Sequence, residues 1–220
     1  IFHTSAPDVE PLASIGFLAG YDSIPDIDIV LYSAEKLDNI SRSADRVEEN
    51  FRRISEIIGA EDYVLPPMTN PLKDYSFAQT GASTGSRINP FYKVKIMHNG
   101  LDLIAPAGTP VYAAADGYVR EVVKSRKGLG NVVTIDHGNG YVTRYAHLAD
   151  MEVRKGRRIR RGARIGYVGL SGNSFAPHLH YEVMRDTTVL DPVHHFFATV
   201  GPDEYVNMLI MSAMTGQSMD

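Results

Sequence analysis

Two short stretches of this sequence place metal-binding and proton-carrying side chains at chemically useful spacings. His98-Asn-Gly-Leu-Asp102 sets an imidazole and a carboxylate four apart, across a glycine that lets the backbone turn just before a strand. His178-Leu-His180 sets two imidazoles at i and i+2 inside a strand pattern, where a period of two sends both side chains to one face. A His, an Asp and a His can thus be presented to one ion. Zinc accepts such N and O ligands, and a catalytic zinc typically has three protein ligands with water in the fourth position. Each stretch alone is a weak signal, since His-x-His also describes an ordinary surface or half-buried histidine pair. Their joint setting adds weight: each lies at the edge of an apolar strand, flanked by turn residues (Gly100; Gly172, Asn173 and Pro177).

The elements that must position these groups follow from periodicity. Beyond residue 90 the pattern alternates. Residues 101–104, 110–115, 117–123, 131–136, 141–147, 165–169 and 178–183 read as short strands separated by Gly-rich turns. Asn139-Gly140 is a hairpin signal, because both central residues of a type I′ turn need positive φ. About seven short strands at this spacing predict a compact antiparallel β domain, so the fold is expected to be mainly β.

Upstream, Leu37, Ile40, Ala44, Val47, Phe51, Ile54 and Ile58 step by 3 and 4, one apolar stripe on a helix over residues 31–58, with Ser33 as its N-cap and Gly59 as its end. The stripe is expected to pack on its neighbours or to form a coiled-coil or dimer seam. Four prolines (Pro66, Pro67, Pro71, Pro90) mark a linker. The domains expected are a helical N-terminal region (1–75), a catalytic domain (76–200), and a short C-terminal helix near 203–214 with a tail (201–220). The tail after Gly216 is expected to fray.

Composition bounds the chemistry. The 220 residues are 44% hydrophobic and 22% charged, a globular balance able to bury a core. The absence of cysteine excludes disulfide scaffolds, thiolate zinc fingers, iron–sulfur clusters and cysteine nucleophiles, so a metal must be held by His, Asp or Glu. No apolar run approaches the roughly 18 residues of a membrane span. Residues 1–75 carry net charge −8 and residues 76–220 net +4, which suggests two regions with different jobs.

Beyond spacing, the sequence resembles a known family. His98-Asn-Gly-Leu-Asp102 followed by Ala105-Pro-Ala-Gly-Thr-Pro110-Val-Tyr-Ala and Asp116-Gly117 resembles the first signature of the lysostaphin and LytM-type zinc endopeptidases of bacterial cell walls. Gly138-Asn-Gly140, Tyr145-Ala-His147-Leu, Ser171-Gly-Asn-Ser174 and Pro177-His-Leu-His180-Tyr-Glu continue it in the family's order, over residues 86–192. The lead Ser86-Arg87-Ile-Asn-Pro90-Phe is similar to a preamble of many Gram-negative members.

The resemblance implies a compact β fold with a sheet floor and a loop-walled groove, and one zinc ion per chain held by His98, Asp102 and His180. It implies that His147 and His178 are the catalytic histidines that do not bind the metal. Zinc lowers the pKa of bound water to about 7 and polarises a scissile carbonyl. With no Glu beside the first ligand, the base is expected to be a non-ligand histidine. His178 suits this role because it shares a face with His180. His147 would then orient the water or stabilise the oxyanion. Tyr92, Arg87, Asn173 and Ser174 are candidates for lining the substrate groove, and Glu182, two after His180, for orienting its imidazole or forming an ion pair. His3, His137, His194 and His195 read as structural or solvated.

Seven cations between Arg154 and Arg164 lack interleaved aromatics and read as a solvated face, so no nucleic-acid partner is expected. The resemblance implies peptidoglycan as the partner and hydrolysis of its peptide stems or crosslinks, with the D-alanyl-diaminopimelate type favoured. The other reading is a non-catalytic or latent peptidoglycan-binding regulator, its acidic N-terminal helix self-associating or packing over the basic groove. A helix before the catalytic domain resembles membrane-anchored members, which implies a periplasmic protein of the cell envelope, reaching the inner membrane only through a segment outside this chain.

Overall fold

The Asn139-Gly140 turn forms as its sequence demands: Asn139 has φ 47° and Gly140 φ 77°, both left-handed, closing a hairpin between two strands of the main sheet. The architecture comes from a computed structural model that describes residues 26–58, 66–73, 75–196 and 199–220. The chain separates into two units, residues 1–63 and 64–220.

In the first unit, α1 (Asp26–Ile58) is a single 33-residue helix. It is described from Asp26 onward, so Ser33 lies inside it rather than at its cap. The aligned peptide groups tolerate a serine there. The stripe residues Leu37, Ile40, Val47 and Phe51 are exposed. The polar face carries Arg52 between Glu49 and Glu56, and Arg42 beside Asp38, exposed pairs that contribute little to stability. Among the described residues, no helix is long and apolar enough to cross a membrane.

The second unit is mainly antiparallel β, as expected, and ends in a short helix. Its strands are β1 (Gly85–Ile88), β2 (Lys95–His98), β3 (Leu101–Ile104), β4 (Pro110–Tyr112), β5 (Gly117–Val123), β6 (Val132–Gly138), β7 (Tyr141–Ala146), β8 (Leu148–Met151), β9 (Arg158–Ile159), β10 (Arg164–Val168), β11 (His178–Arg185) and β12 (Thr188–Leu190), followed by α2 (Pro202–Met214). The main sheet runs β12-β11-β7-β6-β5-β9, with β3 sharing an edge of β11; β4-β10-β8 form a second sheet, and β1-β2 a hairpin. Five strands escape the sequence pattern (β1, β2, β8, β9 and β12). Each spans two to four residues, a length at which alternation rarely registers.

The strand β11 decides the site. Leu179, Tyr181 and Val183 point into the core, where Tyr181 meets Tyr145 at 5.2 Å and stacks on Phe196 at 5.9 Å. His178, His180 and Glu182 alternate with them onto the opposite face, and they too are buried. A buried polar row is costly unless every group finds a partner.

The segment after α2 does not fray. The carbonyl of Gly216 accepts from the Ile88 amide at 2.9 Å, the Ser218 amide donates back to the Ile88 carbonyl at 3.2 Å, and Ile88 and Gln217 form a parallel bridge. Its polar composition predicts exposure. Long-range backbone pairing, invisible to local periodicity, holds it instead.

Candidate metal centre

Sheet register brings the two motifs together. Asp102 on β3 stands directly opposite His180 on β11, and His98 ends β2 one tight turn before β3. Gly100 in that turn has no room for a side chain, since a Cβ would lie 2.6 Å from the Tyr181 carbonyl oxygen and 2.7 Å from His180 Nε2. The other edge of β3 is pinned by residues 81 and 82: the Gly81 amide donates to the Asp102 carbonyl at 2.8 Å, and the Asp102 amide donates to that of Ala82 at 2.9 Å.

The outward nitrogen of each ring fixes its tautomer, because a carbonyl or carboxylate can only accept. His98 Nδ1 donates to the Ser83 carbonyl at 3.1 Å, leaving an Nε2 lone pair. His180 Nε2 donates to Glu182 Oε1 at 3.3 Å, leaving Nδ1. His147 Nδ1 donates to the Ser171 carbonyl at 2.7 Å, and His178 Nδ1 to that of Ala176 at 2.8 Å. The remaining Nε2 atoms of His147 and His178 are buried without a hydrogen-bond partner. With His180 neutral, four imidazole lone pairs converge on one small, buried space.

A tetrahedral zinc ion with ligands at about 2.0–2.1 Å has ligand-to-ligand edges of about 3.3–3.4 Å. His98 Nε2 lies 3.1 Å from Asp102 Oδ1 and 3.1 Å from His180 Nδ1, and the latter two are 3.2 Å apart. Two imidazole nitrogens facing each other at that distance need a shared proton or a metal cation between them. His98, Asp102 and His180 thus fit a divalent ion, and the described residues add a fourth member to the group, the carboxylate of Asp220.

Electrostatics agree. Burial pushes the Asp102 carboxyl up, but the imidazoles of His180 and His98 outweigh it and hold it well below the usual range. Burial opposes the charge on His180, yet the Asp102 and Glu182 carboxylates raise it to about 10, so in the absence of metal this nitrogen takes a proton. Burial lowers His178, keeping it neutral.

The other expected site residues fall in different places. Ser174 Oγ lies 3.2 Å from His178 Nδ1 and donates to the Ala176 carbonyl. The Asn173 amide donates to the Gly128 carbonyl at 2.7 Å, in the loop before β11. Arg87 is engaged internally, with Nε on the Ser83 carbonyl that also accepts from His98, and Nη2 on Ser83 Oγ and the Ser212 carbonyl. Tyr92 is exposed in the β1–β2 loop, its amide held by Asn89 Oδ1. Glu182 does both things weighed for it, pairing with Arg144 at 2.7 Å through Oε2 and orienting His180 through Oε1. His137 is structural, bridging the Asp116 carbonyl and Thr143. His194 and His195 contact Tyr205 and the Asp191 carbonyl, and His3 lies outside the described residues. The basic run surrounds β9 and is exposed, with Arg164 paired to Glu152.

Two features were not legible in the residue pattern. His147 has φ 58°, a left-handed backbone that aims its ring inward at a conformational cost of about 1–3 kcal/mol. Beyond Ser171, whose carbonyl orients that ring, opens a pocket of ≈ 530 Å³ lined by Lys124, Arg126, Asn131 and Leu170.

The chain is similar to several known proteins. Peptidoglycan DD-endopeptidase ShyA of Vibrio cholerae is 46% identical over 98 residues, 44% of this chain and 23% of that protein. DD-carboxypeptidase/endopeptidase Mpg of Neisseria meningitidis is 42% identical over 118 residues, 53% of this chain and 27% of that protein. The catalytic domain of lysostaphin from Staphylococcus simulans superposes with a TM-score of 0.48 at 31% identity, covering 52% of this chain and 89% of that one. This chain therefore spans less than a third of the length of those two curated relatives. Residues 96–192 match Peptidase family M23, a stretch that contains His98, Asp102, His147, His178 and His180, in line with the resemblance of its motifs to the lysostaphin and LytM-type endopeptidases.

Proposed function

We propose that this chain is a zinc-dependent endopeptidase that hydrolyses peptide crosslinks of bacterial peptidoglycan, with the bond between D-alanine and diaminopimelate as its target. One observation carries the reading: three donor atoms spaced as the edges of a zinc tetrahedron, beside two buried imidazole nitrogens that have no partner of their own. His98 Nε2, Asp102 Oδ1 and His180 Nδ1 would hold the ion. A bound zinc supplies Lewis acidity and an activated water at neutral pH.

The residues around it manage protons. His178 is kept neutral by burial, and its Nδ1 proton is committed to Ala176, so Nε2 is ready to accept a proton as general base. His147 presents Nε2 from the other side, its ring 4.8 Å from that of His178. Once protonated it can donate to the developing oxyanion or to the leaving amine. Ser174 steadies His178, and Arg87 steadies the carbonyl that orients His98. The pocket beside Ser171, with Lys124 and Arg126, suits the carboxylates of a peptide stem. Tyr92 and Asn173 are placed in loops and serve as wall residues.

The naming of ShyA as a peptidoglycan DD-endopeptidase supports the D-alanyl bond. Such a substrate places the protein in the cell envelope, and in a Gram-negative cell in the periplasm. The test is to incubate purified crosslinked muropeptides with the protein, with and without chelator, and identify products by mass. Monomers ending in D-alanine, formed only when metal is present, are expected. Intact dimers under both conditions overturn the proposal.

A further inference from the structure

The stretch from Gly216 to Asp220 lies across the candidate metal centre as an extended peptide, held on both sides. On one side the Gly216 carbonyl and Ser218 amide pair with Ile88, and Asn89 Nδ2 donates to the Asp220 carbonyl at 2.9 Å. On the other, the Phe175 amide, in the loop before β11, donates to the Met219 carbonyl at 2.8 Å. Between the two walls the Met219 amide donates to Asp102 Oδ2 at 2.9 Å, occupying the oxygen that does not face the histidine nitrogens. Ser218 is buried, at 1% exposure.

The side chain that this strand delivers is a carboxylate. Asp220 Oδ1 is 3.4 Å from His98 Nε2, while Oδ2 is 3.3 Å from His180 Nδ1 and 3.6 Å from His147 Nε2. Asp220 thus turns one oxygen to each of the two proposed histidine ligands, and one ligand atom from each of His98, Asp102, His180 and Asp220 lies within 4.8 Å of the others, close enough for Asp220 to join the same ion. A hydrolytic zinc site keeps its fourth position for water, whereas a site with four protein ligands is closed. The backbone groups that the segment occupies, the Ile88 and Phe175 amides, are also what a groove offers an extended peptide substrate.

We infer that residues 216–220 form an intramolecular plug of the groove, with Asp220 as a displaceable fourth metal ligand that holds the enzyme latent. The inference rests on the metal-centre reading above. Activation then means release of the segment, and substrate and segment compete for the same wall donors.

The experiment compares the full chain, its Asp220→Ala variant and a variant ending at Thr215, using zinc affinity by chelator competition, the visible spectrum of the cobalt-substituted protein, and cleavage of crosslinked muropeptides. A fourth ligand that blocks water gives opposite signs: zinc affinity falls about tenfold in Asp220→Ala, while cleavage rises at least tenfold. The cobalt spectrum of the full chain is that of a site closed by protein ligands, and in both variants it responds to acetohydroxamate at concentrations that leave the full chain unchanged. If Asp220→Ala leaves zinc affinity and the cobalt spectrum unaltered, or lowers affinity and cleavage together, the plug is wrong. Equal affinity with equal cleavage in all three proteins overturns the plug and leaves the endopeptidase standing. A fall in affinity with no cleavage by any of them supports the fourth ligand and overturns the endopeptidase. Asp220→Ala removes the anchoring carboxylate without shortening the chain, so the test does not depend on the shortened chain folding.

Discussion

Glu182 Oε1 lies 3.3 Å from His180 Nε2, two residues along the same strand and on the same buried face. Its other oxygen meets Arg144, directly opposite on β7. The carboxylate therefore fixes the tautomer that leaves Nδ1 free for metal, and Arg144 holds the carboxylate in place. Glu182→Gln keeps the volume but weakens both contacts, so zinc affinity should fall about 10- to 100-fold. Competition with a chromophoric chelator measures this. Unchanged affinity would show that the ring is held by packing alone.

The Nε2 atoms of His147 and His178 are buried and make no hydrogen bond, each 3.6 Å from a carboxylate oxygen, of Asp220 and Asp102 respectively. Replacing either by Ala should lower kcat on muropeptides about 10²- to 10⁴-fold while zinc stays bound. Metal content by mass spectrometry alongside turnover separates the two effects. Loss of zinc in either variant would move that histidine into the ligand set.

Gly100→Ala should damage the centre without touching a chemical group. The new methyl would overlap the Tyr181 carbonyl and His180 Nε2 at 2.6–2.7 Å, against rigid backbone on one side and an oriented ring on the other. An overpacking cost of about 1–3 kcal/mol is expected, with weaker zinc binding. A denaturation midpoint equal to that of the unaltered protein would mean the turn can relax.

Protons and metal compete at His180. In the metal-free fold burial opposes the charge on its imidazole, but the Asp102 and Glu182 carboxylates raise its pKa to about 10, against 6.5 for an ordinary histidine. The stability this contributes is full below pH 6.5 and is lost as the pH rises towards 10. Zinc binding at pH 8 must expel that proton. Calorimetry in buffers of different ionisation enthalpy should find about one proton released at pH 8, declining above pH 10. A release that does not change across this range would remove His180 from the metal-binding set.

Short motifs with a fixed local period were legible because their geometry is local. His178 and His180 share a face since a strand alternates every residue, and Asn139-Gly140 turns because both positions are left-handed. The spacing of His98 to Asp102 across Gly100 reads the same way. Ser33, read as a cap, failed because a long helix absorbs a serine in its interior, and five strands were missed for want of length. Asp220 carries no local signal at all. Its neighbours in space, His98, His147 and His180, are between 40 and 122 residues away along the chain.

The amino-acid sequence by itself determined the chemistry available to this protein: which side chains can bind a metal or carry a proton, the β character of the domain, and the resemblance to a known family. Tertiary structure alone decided which nitrogen each imidazole turns inward, that Glu182 serves His180 and Arg144 at once, and that residues 216–220 bring Asp220 beside His98 and His180. The physical reason is that residue type and local period specify donors and faces. Convergence within about 3 Å depends instead on sheet register and on backbone pairing between distant segments, and neither leaves a trace in local composition.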